Sequence, residues 1–440
     1  MTHHCKLQDE MNTAAAVDSP TSDAADECIQ KRRILVLSGV FPTAAYPNHA
    51  VFVKNRVRAV ADLSGYEVRV VSPVPRFPPI KWLKRWYLWS QFPKEEVLDG
   101  LQVSRTRYFQ LPKIGGYFSS ELMFGAIRRR VEQIRKTFDF DLIDAHWAYP
   151  AGVVAARLGH LYRKPLVVTG RGEDMCRFPD YPLIGRRIRH ALRQATQCIG
   201  VSREIARAMV ANGARADRVH VIPNGVDCKT FRPLSQPEAR RKLDLPPDAK
   251  VIVSVGDRFQ NKGFHLLVDA VARMRRKFPN VLAVIVGGAP RTGVDFLPEI
   301  QRRIQQGDMQ RHVRIVGRRP HEELVWWYNA ADAYALFSER EGSPNVLLEA
   351  LACGTPCVAT PVGGIPDELA DTNLGVLLGE RSAEAAADGL TEALTRPWDR
   401  QAIRRAMEAR TWHHTATQVA DVFDRALEIH GQGKQVTSRQ

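Results

Sequence analysis

The chain has 440 residues, 44% hydrophobic and 25% charged, with a formal net charge of +15. That length sets an expectation of two domains of about 200 residues each, with ample apolar content for two packed cores. No run of about 18 apolar residues occurs, which excludes an evident membrane-spanning helix, and seven scattered cysteines argue for reduced, packed thiols in the cytosol. Cys353 and Cys357 stand four apart but lack the second pair that a zinc site needs.

Residues 1–30 hold Asp9, Glu10, Asp18, Asp23, Asp26 and Glu27 against Lys6 alone and have no apolar core of signal-peptide length, so they are expected to form a disordered acidic tail. This leaves the remainder near +20, a field that favours phosphorylated ligands, nucleic acid or an acidic membrane surface. Ile34–Leu37 is a continuous apolar run and is expected to be a buried first strand. A loop, a helix from Val51 to about Leu63 and a strand at Val68–Val71 complete a Rossmann-like half. It has no Gly-x-Gly-x-x-Gly, which weakens the case for a nicotinamide or flavin site.

Between Arg76 and Pro93, Trp82, Trp86 and Trp89 recur at helical spacing with Lys81, Lys84 and Arg85 between them. Such a segment either rests in the headgroup region of an anionic membrane or packs its tryptophans on its own domain. A second helix, about 121–136, carries Phe124, Ile127, Val131 and Ile134 on one side and a set of arginines elsewhere, which adds to the membrane case. Leu142–His146 reads as a strand and Pro150-Ala151-Gly152 as the start of the next helix, which puts His146 at the carboxyl edge where α/β sheets bind ligands. Asp139-Phe140-Asp141 resembles a metal-binding Asp-x-Asp, but it precedes its strand and is taken as chance. Strands follow at Pro165–Val168, Ile199–Ser202 and Val219–Ile222. The proline-rich, charged stretch from Arg232 to Lys250 then marks the domain change, with the N-terminal domain assigned to 31–225 and the C-terminal one to 226–416.

The second half opens with a strand at Lys250–Val255, whose following loop brings Arg258 and Lys262 to the carboxyl edge, where two cations can clasp a diphosphate. Further strands are expected at Val281–Gly288, Val313–Gly317, Ala333–Phe337 and Thr355–Ala359. After Phe337 the run Glu341-Gly342-Ser343-Pro344-Asn345 leads into a helix containing Val346, Leu347, Glu349, Ala350 and Leu351, with Gly354 as its stop. Ser343 is expected as N-cap and Pro344 as first helical residue, so unpaired N–H groups should face the strand's carboxyl end and favour an anion. Two carboxylates beside an anion site need neutral donors, and the hydroxyls of a nucleotide-linked sugar meet that need; equally, both acids can simply be solvated. Val419–Ile429 reads as a last amphipathic helix, assigned to 417–430, with 431–440 as a frayed tail.

Taken together, these segments resemble the retaining nucleotide-sugar glycosyltransferases of family 4, over roughly Arg33 to Ile429. The likeness is most specific in Glu341-Gly342-Ser343-Pro344-Asn345 to Glu349, continued by Cys353-Gly354-Thr355-Pro356 and Val362-Gly363-Gly364-Ile365-Pro366, with Val221 to Asp227 and Lys262-Gly263 in agreement. The resemblance implies an α/β GT-B fold, two Rossmann-like domains facing across a cleft, with the C-terminal helix crossing back to the N-terminal domain. It assigns Glu349 to ribose hydroxyls, Glu341 to hydroxyls of the transferred sugar, Lys262 to the diphosphate and His146 to the reaction centre. Three departures stand out: Gly256-Asp257 where the family commonly has Gly-Arg, Asn48-His49-Ala50 where many members have a glycine-rich loop, and Arg171-Gly172-Glu173-Asp174 where His-Gly-x-Asp is frequent.

The resulting expectation is a retaining hexosyltransferase that uses a UDP- or GDP-sugar, with a lipid-linked or oligosaccharide acceptor and neither cofactor nor metal. Lys262, Arg258 and the amides after Ser343 would meet the charge on the leaving diphosphate. Such an enzyme would be cytoplasmic, peripheral to the inner face of the membrane. The alternatives are a nucleotide-sugar epimerase on the same architecture and a basic nucleic-acid-binding protein, although the basic residues are dispersed and no nucleic-acid module is recognisable.

Overall fold

The computed structural model describes residues 31–47, 49–76, 87, 89–110, 115–290 and 293–437. The acidic tail, Lys81, Trp82, Lys84, Arg85 and Trp86 lie outside the described residues. The first half holds β1 (Arg32–Ser38), β2 (Tyr66–Val71), β3 (Val74–Arg76), β4 (Glu95–Leu98), β5 (Leu101–Ser104), β6 (Arg107–Phe109), β7 (Leu142–His146), β8 (Leu166–Gly170), β9 (Gln197–Gly200) and β10 (Val219–Val221). Eight of these form one sheet in the order β10-β9-β8-β7-β1-β2-β5-β4, while β3 and β6 pair apart. Ile34 to Leu37 are buried at the centre of this sheet, as a continuous apolar run requires when helices cover both faces.

The second half forms a six-stranded, all-parallel sheet from β11 (Lys250–Val255), β12 (Val281–Val286), β13 (Val313–Gly317), β14 (Ala333–Leu336), β15 (Cys357–Ala359) and β16 (Gly375–Leu377), in the order β13-β12-β11-β14-β15-β16. The strand order reverses on either side of β1 in the first sheet and of β11 in the second. The crevices at the carboxyl ends of β1 and β7, and of β11 and β14, are thus the places where a doubly wound sheet receives ligands. The register aligns Ser38 with His146 and His146 with Thr169, so the residues that follow these strands share one edge.

Several elements depart from the sequence expectation. The strands β4, β5, β3, β6 and β16 were not anticipated: β4 is a half-exposed edge rich in glutamate, β3 contains a proline, and β16 has three residues. The arginine-bearing helix begins earlier than expected and spans Gly115–Arg135. The helix after Ser343 spans Asn345–Ala352 and is capped by Pro344, whose φ and ψ of −77° and 106° are extended; Ser343 lies outside it. Asp139 pairs with Arg135 and Lys164, and Asp141 accepts the Arg33 amide, so the Asp-x-Asp is spent on structural contacts.

The last helix, Trp412–Thr437, extends beyond the expected range at both ends. Its Ala416, Val419, Val422, Phe423 and Ala426 are buried in the cluster formed by Ile34, Val36, Val53 and Val57, so it crosses back onto the first sheet. The two connections between the sheets run side by side, for the Val226 amide donates to Arg410 O at 2.8 Å. Among the described residues, no helix is long and apolar enough to cross a membrane.

Candidate active site

On the second sheet, the loop after β14 and the short turn after β11 meet. Lys262 Nζ donates to Glu341 Oε1 at 2.6 Å, and Ser338 Oγ donates to the same oxygen at 2.7 Å. Glu341 thus has one oxygen held by a cation and a hydroxyl. Glu349, a turn and a half along, is 5% exposed and differently held: His321 Nε2 donates to Oε1 at 2.7 Å and Tyr328 OH to Oε2 at 2.8 Å. Burial opposes charge on His321, but the attraction and hydrogen bond of Glu349, with Glu322 and Asp227 nearby, outweigh it and hold its pKa above the ordinary histidine value. Between the two carboxylates, the amides of Asn345 and Val346 find no acceptor among the described residues and stand at the positive end of the helix.

Arg258, expected to be the second clasp on a diphosphate, is committed elsewhere. It is buried, grips Asp295 with two bonds of 3.0 and 2.6 Å and donates to Gly287 O at 2.7 Å. Bidentate pairing satisfies a guanidinium's planar fork, so Arg258 shapes the loop from beneath while Lys262 faces the centre.

On the first sheet, His146 reaches the expected edge but is 0% exposed, with both ring nitrogens engaged. Arg171 Nε and Nη2 lie 3.1 and 2.7 Å from Nδ1. A guanidinium has only donors, so Nδ1 is the acceptor and Nε2 carries the proton, donating to Asp144 Oδ2 at 3.0 Å. Burial pushes the imidazole down to about 4, with Asp144 opposing and Arg171 and Arg56 assisting. Burial alone would raise Asp144, yet His146, Arg56 and Arg171 more than offset it and keep this carboxyl below the usual range. Asp174 fixes the neighbouring loop by accepting the amides of Ala148, Arg171 and Gly172.

The two sheets' loops touch at this point. Arg171 Nη1 donates to Asn224 Oδ1 at 3.3 Å, and Asn224 Nδ2 donates to Ser343 O and Asn345 Oδ1 at 3.1 and 3.0 Å. Ser343 Oγ accepts the Asn224 amide at 3.2 Å, so this hydroxyl joins the loops where a helix cap was expected. Gly342 is required by the close approach, because a Cβ there would lie 1.9 Å from Arg171 O; Gly363, at φ +62°, would place one 1.7 Å from Glu341 O. Sequence reasoning did not nominate Asn224, Arg171, Tyr328 or His321. The first two stand in motifs it did quote, whereas His321 and Tyr328 gave no signal, being 28 and 21 residues from the carboxylate they hold.

Two sheets, one all-parallel and one parallel but for its antiparallel edge strand β4, joined by a returning C-terminal helix, define the GT-B class. Solved structures with this fold include sucrose-phosphate synthase from Thermosynechococcus elongatus, with a TM-score of 0.68 at 20% identity over 93% of this chain and 100% of that one. Anabaena HepE in complex with UDP and glucose gives 0.66 at 21% identity, over 89% and 99%. Residues 49–230 match the family model described as Glycosyltransferase Family 4, and residues 235–410 that described as Glycosyl transferases group 1. A Bacillus subtilis protein described as a teichuronic acid biosynthesis glycosyltransferase is 28% identical over 417 residues, 92% of this chain and 99% of its own length. A D-inositol 3-phosphate glycosyltransferase of Corynebacterium efficiens is 30% identical over 319 residues, 68% and 74% of the two chains. The chain belongs to the family 4 glycosyltransferases.

Proposed function

We propose that the enzyme transfers a hexose from a UDP- or GDP-sugar to a hydroxyl of a lipid-linked saccharide, with retention at the anomeric carbon and without a metal ion, at the cytoplasmic face of the membrane. The observation that carries this is the pair of unlike carboxylates around one helix start: Glu341 on Lys262, Glu349 on His321 and Tyr328, with the free amides of Asn345 and Val346 between them. Lys262 and those amides meet negative charge, and the carboxylates meet hydroxyls, which together match a sugar nucleotide. The description of Anabaena HepE names UDP and glucose, which supports a UDP-sugar donor, while those of the two relatives name teichuronic acid biosynthesis and D-inositol 3-phosphate as what those proteins serve.

In the proposed reaction the bond from the anomeric carbon to the β-phosphate oxygen breaks as charge builds on the diphosphate, which Lys262 and the amides stabilise. Glu341 is tied to Lys262 and Glu349 to His321 and Tyr328, so neither is set to attack the anomeric carbon. The acceptor hydroxyl forms the new bond on the face the diphosphate leaves, and its proton passes to a departing phosphate oxygen. His146, buried and neutral, acts as a positioning residue for Arg171. No observation favours the epimerase or nucleic-acid alternatives.

Assaying sugar transfer into membrane extracts with UDP- and GDP-sugars tests this directly; product with the donor's anomeric configuration, undiminished by EDTA, is expected, and an inverted anomer overturns the mechanism. Glu349→Ala should mainly raise the donor KM and Glu341→Ala mainly lower kcat, each by about 30-fold for one charge-assisted hydrogen bond of about 2 kcal/mol. The opposite kinetic pattern exchanges their roles.

A further inference from the structure

The strands β13, β12 and β11 lie side by side, and the turns at their carboxyl ends crowd together. The Gly287 amide donates to Gly317 O at 2.8 Å, and a Cβ on Gly287 would lie 1.7 Å from Gly256 O, so no side chain separates these turns. Gly317, at φ +80°, ends β13 in the left-handed region. Arg318 then lies across the end of β12, where a Cβ on Gly288 would come within 3.0 Å of its Cβ and of its Nε. Its guanidinium reaches the end of β11: Nη2 donates to Asp257 Oδ1 at 2.7 Å and to Ala289 O at 3.0 Å.

This ion pair stands beside Lys262. Asp257 follows Gly256, and a Cβ on Gly256 would lie 3.9 Å from Lys262 Cγ and Cδ, so the lysine stem runs along the same turn. The chain departs here from the common Gly-Arg, and Asp257 sets a carboxylate next to the position proposed for phosphate. Uncovered, that carboxylate would repel an anionic donor. Arg318 covers it and has donors to spare. Of the five N–H groups of a guanidinium, the two on Nη2 are used, while Nε and Nη1 make no hydrogen bond among the described residues. The side chains of Arg318 and Asp257 are 39% and 35% exposed, so a ligand can reach both. Arg258 differs on each count, being buried with its fork closed on Asp295.

We propose that Arg318 is the second cation on the donor's diphosphate, reaching it from the end of β13, and that Asp257 is the positioning residue that holds it. This rests on the sugar-nucleotide reading of the site and adds a residue that neither periodicity nor motif singled out. The pair acts as a unit. Loss of the arginine alone strips a donor from the phosphates and bares a carboxylate beside them, so it does more harm than loss of both partners.

The test is calorimetric titration of the full chain with UDP and GDP, and with uridine and guanosine as the matching nucleosides. Arg318→Gln should weaken the diphosphate that wild type binds by about 10- to 100-fold, the effect of one charge-assisted contact, and leave its nucleoside within about twofold of wild type. The double variant Asp257→Asn, Arg318→Gln should bind the diphosphate at least about threefold more tightly than Arg318→Gln alone, a sign of coupling that a merely structural pair does not give. Thermal midpoints without ligand should stay within a few degrees of wild type, because a half-exposed ion pair contributes little to stability. Diphosphate affinity unchanged in Arg318→Gln, an equal loss of nucleoside affinity, which would put the arginine on the base, or a double variant as weak as the single one would each overturn the proposal while leaving the sugar-nucleotide reading in place. A wild type that binds neither UDP nor GDP would overturn that reading and this proposal with it.

Discussion

At the scale of single residues, burial decides protonation around His146. An imidazole of ordinary pKa near 6.5 in the unfolded chain falls to about 4 when folded, because the site excludes water and two guanidinium groups stand beside it. The unfolded state therefore binds the extra proton first. The stability associated with neutral His146 is fully present above about pH 6.5 and is lost as pH falls from there towards 4, by on the order of 3 kcal/mol. Urea midpoints measured across that window should decline in the wild type and decline less in His146→Asn. Equal slopes would mean that His146 does not carry the effect. The same burial explains why the histidine's place at the ligand edge was legible from the strand pattern of Leu142–His146 while its lack of solvent contact was not. That depends on Arg171 and Asp144 closing over both ring nitrogens, and Arg171 is 25 residues away.

At the scale of elements, the helix Trp412–Thr437 shows how one amphipathic stripe fastens the chain's end to its beginning. Phe423 is 1% exposed and sits 6.4 Å edge-on from the Tyr66 ring, among residues of β1 and the helix Val51–Ala61. Phe423→Ala should cost about 3–5 kcal/mol, transfer and cavity terms together, seen as a lower denaturant midpoint. A loss below about 1 kcal/mol would show that the helix is only loosely held. The apolar repeat made this helix readable from sequence, but its extent was not, because the first turn is set by the Val226–Arg410 contact and the last by helix continuation past the apolar stripe. Propensity likewise put Ser343 at a helix cap, and a tertiary partner, Asn224, won that hydroxyl.

At the scale of the molecule, the two sheets communicate through few polar contacts. Asn224 joins Arg171 to Ser343 and Asn345, the Gly363 amide donates to Glu204 Oε2 at 2.8 Å, and the Arg203 amide donates to Asp367 Oδ2 at 2.8 Å. Contacts of this kind fix the loop that carries Glu341 relative to the first sheet. Asn224→Ala should lower kcat/KM by about 10- to 100-fold with a shift in thermal midpoint of only a few degrees, since it removes orienting bonds and leaves both cores intact. A large fall in the thermal midpoint with unchanged activity of the remaining folded enzyme would assign Asn224 to stability alone.

The sequence by itself determined the alternation of buried parallel strands and helices, and the helix start between Glu341 and Glu349, because these are local: apolar runs bury, glycine and proline stop helices, and free amides follow a cap. It also placed Lys262 at the right edge, since that position follows directly from the end of β11. Only the tertiary structure decided which cations face the centre. Arg258 and Lys262 are indistinguishable as loop cations, and an aspartate 37 residues beyond Arg258 takes one of them while Glu341 takes the other. The partners of Glu349, the burial of His146 and the Asn224 bridge are likewise contacts between segments distant in the chain, which local periodicity cannot specify.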